Sequence, residues 1–368
     1  MQVTVSQRRV TPIELHLEYK PDTSQAIARM EAWWEGEILD RPTIQVTAPK
    51  ADPRPYPAKH HANLRERWMD SAYTVECACI HIANTYWGGE ILPYFWPNLG
   101  PDVQAACMGA ELEFGETTSW SRPVIENLDH YPPLVIDPQN LYTRTLLEMT
   151  RLSLEMGRGR FLTGHTDLHP DADLLAALRG PEQLCIDLAT MPEKVHELVN
   201  LVKPSFAALY DMQRDLMLSA GQSLTISWLP LFAEGRYYIP SNDFSCMISN
   251  RDFREFFLPQ IIEQTEWLDR SIYHLDGPDA LRHLDTLLEI PSLDAIQYVW
   301  GAGKGSATDW IPIFQKIQES GKNQWIPIER GELETMMAAL HPKGVMLSTW
   351  ASCEDEAKSL IHQVSLWR

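Results

Sequence analysis

Histidines and carboxylates recur in this chain at spacings that can bring them to one point. In Tyr273-His-Leu-Asp-Gly277, His274 and Asp276 stand two apart, so on an extended strand both side chains leave from the same face. Gly277 then permits a tight turn or a close backbone approach. An imidazole beside a carboxylate serves as a metal grip or an acid–base pair; the structural alternative is a buried His–Asp pair held by hydrogen bonds. His165, Asp167 and His169 repeat the spacing in Gly164-His-Thr-Asp-Leu-His169 and run on into the polar loop His169-Pro-Asp-Ala-Asp173. They read as a substrate or metal grip, or as a loop whose Asp and His cap neighbouring backbone. Ser352-Cys-Glu354 offers a thiol, and Cys353 with His274 and Asp276 makes an N/O/S set that zinc accepts. Asp243, at the end of Tyr237-Tyr-Ile-Pro-Ser-Asn-Asp243, reads as a group that contacts substrate or takes a proton, or as a helix-start residue.

Aromatic residues are the other signal. The chain has 13 Trp, most of which should be core. Trp87, Trp96, Trp120, Trp228, Trp300 and Trp350, with Tyr94 and Tyr298, fall at strand ends or in loops where a few can line a pocket for a sugar face, an aromatic ring or a quaternary ammonium. Other motifs fail. Gly301-Ala-Gly-Lys-Gly-Ser306 has Gly305 where a phosphate loop needs Ser or Thr. His196-Glu197 has Asn200 where a zincin needs its second His, and Cys77 with Cys79 has no second pair.

These residues need a scaffold that gathers strand ends. The patterning predicts helix over 22–40, strand over 41–48, a proline-broken loop over 49–57 and helix over 62–86. From 87 to 133 the chain is punctuated by Gly and Pro and rich in aromatics; the stretch 49–138 reads as an insertion covering the barrel mouth. Beyond 138 the rhythm is regular. Helix 140–157 precedes strand 160–165; a broken helical region over 172–220 precedes strand 223–228. Then follow helix 250–269, strand 271–276, helix 278–289, strand 293–299, helix 308–320, strand 325–329, helix 331–340, strand 344–349 and helix 354–364. Short strands alternating with helices imply parallel β with crossover helices. Without a GxGxxG opening, this favours a single closed (β/α)8 barrel domain over 1–368, with an N-terminal helical and loop embellishment.

Composition narrows the partners. Lys and Arg number 31 against 50 Asp and Glu, a formal net charge of -19, which argues against nucleic acid or an anionic membrane surface. The run MQVTVSQRRVTPIEL lacks an apolar signal core, and no window reaches membrane-span length. Six cysteines without a secretory signal suggest free thiols and a cytoplasmic protein.

The strand-end segments resemble the uroporphyrinogen decarboxylase superfamily, which also holds corrinoid-linked, zinc-dependent methyltransferases and is related to cobalamin-independent methionine synthase. The resemblance spans about residues 160–365. It is carried by Gly164-His-Thr-Asp-Leu-His169 with Leu178-Arg-Gly180, by Asn242-Asp-Phe-Ser245 with Ile248, Ser249 and Phe253, by His274-Leu-Asp-Gly277, by Leu293-Asp-Ala-Ile-Gln297, and by Gly344-Val-Met-Leu347 with Cys353. It implies a (β/α)8 barrel. The porphyrinogen decarboxylases' arginine-rich segment after the first strand is missing from Arg41-Pro-Thr-Ile-Gln-Val-Thr-Ala-Pro-Lys50, so a tetrapyrrole with eight carboxylates is not the expected substrate. The methyltransferase branch holds zinc by His-x-Cys and a later Cys. The matching positions here are His274, Asp276 and Cys353, with Asp in place of one Cys, while Gln297 matches a glutamate ligand of the methionine synthase relatives. Glu329 or a water would complete the coordination.

The expectation is therefore a metal-dependent methyltransferase-like enzyme that moves a methyl group between a small substrate and a corrinoid or thiol acceptor. Zn2+ sits on His274, Asp276 and Cys353; Asp243, His274 and Asp276 are catalytic; His165, Asp167, His169, Tyr94, Trp96, Trp228, Tyr237, Gln297 and Trp300 contact substrate. The implied partner is a corrinoid protein, and a homodimer agrees with relatives that are often dimers. The alternative is metal-free decarboxylation of a small acid, with Asp243 stabilising a protonated intermediate and Arg236 holding the carboxylate. A non-catalytic ligand-binding barrel is the third reading.

Overall fold

The computed structural model describes residues 15–368; the reading of the N-terminal run as lacking a signal core falls mainly on residues 1–14, outside the described residues. Thirteen strands are present among the described residues. They are β1 Thr43–Pro49, β2 Thr85–Gly89, β3 Tyr94–Phe95, β4 Leu112–Phe114, β5 Ser119–Ser121, β6 Leu162–Thr163, β7 Leu224–Ile226, β8 Phe232–Glu234, β9 Tyr237–Tyr238, β10 Arg270–Asp276, β11 Ala295–Val299, β12 Asn323–Pro327 and β13 Val345–Trp350. Seven form one sheet in the order β2-β1-β13-β12-β11-β10-β9. Its pairings are parallel except for β2 against β1. Helices connect the consecutive parallel strands from β10 to β13, as the alternating pattern requires.

The far wall is thinner. β3 pairs with β6, and β7 with β8, in separate two-stranded ladders. Gly164 N–H extends the β3–β6 ladder by donating to the Phe95 carbonyl at 2.7 Å, and the backbone bond from His165 N–H to the Ile226 carbonyl at 2.8 Å stitches that ladder to β7. The expectation of a closed eight-stranded barrel is thus corrected. The architecture is an α/β barrel-like fold whose central sheet is mostly parallel and does not close. Strand 160–165 shrinks to Leu162–Thr163, because beyond it the chain leaves the ladder to build the site.

The inward face can be read along β10. Ile272 belongs to an interior apolar cluster with Ile226, Ile239, Ala295, Trp325 and Met346, while Tyr273 and Leu275 pack outward under the helices. At a period of two, His274 and Asp276 continue the inward face toward the mouth. The opposite end is plugged by the helix Thr23–Trp34, whose Trp33 and Trp34 carbonyls accept bonds from Asn323 Nδ2 at 2.8 and 3.0 Å. Helix 22–40 is shorter than expected because Gly36 turns the chain at φ +66°.

The helical readings hold with local breaks. Residues 62–86 split into Leu64–Met69 and Ser71–Asn84, Asp70 capping the second by accepting from Tyr73 N–H. The region 172–220 breaks before Pro181, Pro192 and Pro204, each proline opening a new helix where its missing N–H costs nothing. Residues 49–138 hold the β4–β5 hairpin and lend β2 to the central sheet and β3 to its ladder with β6. No helix among the described residues is long and apolar enough to cross a membrane.

Candidate active site

Three chain segments converge at the mouth. After β6 the chain delivers Asp167 and His169, then turns at Asp171, whose φ of +57° is a left-handed conformation uncommon for a residue with a side chain. That turn starts the helix Ala172–Arg179 and brings Asp173 back beside His169. Asp171 is itself buried, takes a bond from Gln264 Nε2, and is pushed up to about 7 by burial. The second segment follows β9. His274 N–H donates to the Pro240 carbonyl at 2.9 Å and Ser241 bridges His274, so Asp243 is carried alongside β10. Asp173 then fixes the start of the next turn: its two oxygens accept the N–H groups of Asp243 at 3.0 Å and Phe244 at 2.8 Å. The third segment is β10 itself, which presents His274 and Asp276.

The side chains form a chain of near contacts. His169 Nε2 lies 3.1 Å from Asp167 Oδ1, and its Nδ1 lies 3.5 Å from Asp173 Oδ2 and 3.8 Å from Asp243 Oδ2. His274 Nε2 lies 3.9 Å from Asp243 Oδ1, while its Nδ1 is 2.8 Å from Gln297 Oε1, its direct register partner on β11. An edge-on Trp228 ring, 5.3 Å away at 90°, holds the other side of the His274 imidazole. Among the described residues, two groups of three bring potential ligand atoms within 4.8 Å of one another: His169, Asp173 and Asp243; and Asp243, His274 and Asp276.

Electrostatics follow from four carboxylates around two imidazoles. Burial works against a charge on His169, yet Asp167 and Asp173 outweigh it and raise this imidazole well above its ordinary value. Burial and then the charge of Asp173 push Asp243 up to about 6, against the pull of His274 and His169. The side chain of Asp243 is partly exposed, but its Oδ1 is buried without a hydrogen-bond partner.

Two pockets meet at His169. One of about 310 Å³ is lined by Trp96, Trp228, Asp167, His169 and His274, with the β4–β5 turn at Thr117 and Thr118 above it. The other, about 540 Å³, is mostly apolar and runs past Asp173 and Asp243 to Trp120, Phe244 and Met247. Neither lining contains Arg or Lys, so both suit neutral or cationic ligands better than a carboxylate.

Of the residues expected to act, Asp243, His274, Asp276, Asp167, His169, Trp96, Trp228 and Gln297 lie in or beside this site. The others go elsewhere. His165 is fully buried behind the wall, stacked on Tyr210 at 3.9 Å, because it shares the outward face of Thr163, whose hydroxyl lies 2.6 Å from that of Ser153 on the helix Leu141–Gly157. Tyr94 spends its hydroxyl on the Trp228 carbonyl at 3.0 Å, Tyr237 is packed in the interior cluster, and Trp300 donates to the Gly305 carbonyl. Cys353 is exposed at the N-cap of the helix Glu354–Ser365 and joins neither ligand group. Two strands separate β13 from β10, and the chain turns outward into that helix. Glu329 caps the short turn Arg330–Glu332. Arg236 pairs with Asp211 at 3.4 Å and lies over Trp267, so it holds nothing in either pocket, and the decarboxylation reading loses its carboxylate grip. Asp173 was visible in sequence only as part of a polar loop. No spacing rule marks it, because His169 precedes the helix and the positive φ of Asp171 lies between them.

No family model matches the chain, and no curated protein matches it by sequence. Solved structures do match. One, a methyltransferase from Methanosarcina mazei, superposes with a TM-score of 0.61 over 92% of this chain and 98% of its own, at 11% identity. At that identity the likeness shows the fold: the two chains share one α/β barrel-like architecture along nearly their whole length.

Proposed function

We propose that this chain is a metal-dependent methyltransferase of the uroporphyrinogen decarboxylase-like kind, acting on a small substrate with a thiol or hydroxyl. The observation that carries the reading is the placement of His274. Its Nδ1 is engaged by the Gln297 amide oxygen, which leaves Nε2 facing Asp243 Oδ1 at 3.9 Å with Asp276 alongside. A histidine held at one nitrogen by an acceptor and free at the other is the usual posture of a metal ligand.

Asp243 therefore replaces Cys353 in the expected ligand set, and the donors become one nitrogen and two carboxylates. This set fits Zn2+ and also harder divalent ions. A bound cation would lower the pKa of a coordinated thiol or hydroxyl and supply a nucleophile at neutral pH. The protein's own groups do the rest. Trp96 and Trp228 narrow the 310 Å³ pocket and exclude water around the substrate. The Asp167–His169 pair lines the same pocket and would position the substrate there. A pocket of this size admits a small molecule; a carrier as bulky as a corrinoid would present its methyl group at the mouth from a partner protein. The name of the structural neighbour and the strand-end resemblance support the same assignment.

The test is to strip the protein with a chelator, add back Zn2+, and follow methylation of small thiols from free methylcobalamin. Activity should vanish on chelation and return with the metal, and His274→Ala should lose metal and activity together. Full turnover in the stripped protein or in His274→Ala overturns the proposal.

A further inference from the structure

The geometry points to a second metal position beside the first, with Asp243 bridging the two ions. This inference rests on the metal-dependent reading above and extends it. Asp243 aims its two oxygens at different histidines: Oδ2 faces His169 Nδ1 at 3.8 Å and Oδ1 faces His274 Nε2 at 3.9 Å. His274 is held from behind, its Nδ1 on Gln297 Oε1 at 2.8 Å, the outer-shell arrangement that fixes the tautomer of a ligating imidazole; Asp167 Oδ1 lies 3.1 Å behind His169 Nε2. Each side also has a terminal carboxylate, Asp173 beside His169 and Asp276 beside His274. The two halves are chemically alike: one imidazole, one terminal Asp and one oxygen of Asp243.

The distances discriminate between a proton and an ion as the missing cation. A protonated imidazole bonded to a carboxylate closes to about 2.7–2.9 Å. The facing contacts here are 3.5, 3.8 and 3.9 Å, beyond that range. Two donors sharing one ion at bonds of ~2.1 Å stand ~3.4 Å apart in a tetrahedral site, and wider in a more open one. The Oδ1 of Asp243, which faces His274, is buried with no hydrogen-bond partner. Asp173 is already braced for such a role, since both its oxygens take backbone N–H bonds and keep lone pairs on the His169 side. Carboxylate-bridged ion pairs stand about 3.5–4 Å apart, a separation that one Asp243 spans.

The all N/O donor set suits Mn2+ as a probe. Chelator-stripped protein is equilibrated with Mn2+, freed of excess, and examined by elemental analysis and electron paramagnetic resonance. The expected result is two Mn2+ per chain with an exchange-coupled spectrum. His169→Ala should retain one ion and show an uncoupled six-line signal, and Asp173→Asn should weaken the same ion if the alanine variant does not fold. One ion per chain in the wild type, removed by His274→Ala, overturns this inference and leaves the proposed function standing. Two uncoupled ions overturn the bridge, and no bound ion overturns both readings.

Discussion

The mouth of the barrel has two halves built on different principles. On one side, the exits of β12 and β13 present Glu329, Arg330, Cys353 and Glu356. These groups satisfy one another or the backbone: Arg330 pairs with Glu356 at 2.8 Å and lies over Trp350, and Ser352 donates to Glu356. On the other side, the exits of β6, β9 and β10 bring together Asp167, His169, Asp173, Asp243, His274 and Asp276, whose mutual contacts are too long or incomplete. The first half belongs to a regular parallel ladder with five Cα pairings between β1 and β13 and four between β12 and β13. The second is made largely of two-residue strands and single stitches. Polar groups that close on each other stabilise a loop end. Polar groups held apart at fixed distances by other bonds are left ready for something to come between them.

The sharpest way to break that contrast is to loosen the holding group without touching the held ones. Gln297 touches no proposed ion; it only fixes His274. Gln297→Leu should leave the β10–β11 pairing intact, because the backbone register does not use the amide. It should weaken metal affinity by about 10–100-fold, the usual cost of losing an outer-shell partner. Titration of the stripped variant with Zn2+ measures this. An unchanged affinity would mean that the His274 ring is set by Trp228 alone. Gln297→Glu, which keeps an acceptor, should restore binding.

The same division decides what could be read in advance. The alternation of β10, with Ile272, His274 and Asp276 on one face, follows from the period of two, and the pair is where that period predicts. The helix and strand succession from 250 to the C-terminus is likewise legible, since hydrophobic periodicity is strongest where elements repeat. The partnership of Asp243 with His274 is not: it depends on Pro240 and Ser241 pairing with β10 after a stretch with no strand-like signal. Asp173 depends on a left-handed turn at Asp171, a conformation that sequence assigns to Gly or Asn before Asp. The choice of Cys353 failed for a related reason. Its position after the last strand matched the resemblance, but the direction of its side chain is set by the N-cap geometry of the next helix.

His165 probes the edge of the rule that unpaired polar groups mark a site. Both its ring nitrogens are buried and unpartnered, yet it faces Tyr210 and neither pocket reaches it. Burial, with the charge of Arg214 adding, drives it down to about 3 from the ordinary 6.5. Between those values the unfolded chain binds a proton that the folded chain refuses, so stability is full above pH 6.5 and declines as pH falls toward 3. His165→Phe, which keeps the stacked ring, should flatten that acid-side decline by about one proton, read from chemical denaturation at several pH values. An unaltered slope would show that this imidazole finds a partner and belongs with the site.

Cys353→Ser is the smallest expected effect and tests the quiet half directly. The residue is exposed, accepts no capping bond through its side chain, and lies outside both ligand groups. Serine at an N-cap accepts from the first turn better than a thiol does, so stability should stay within about 0.5 kcal/mol of the parent or rise slightly. Metal content and methyl transfer should not change. If the substitution instead removed the ion, the thiol would have to swing inward from its helix cap on metal binding. The two halves of the mouth would then close around a common centre, and the contrast drawn between them would describe only the metal-free state.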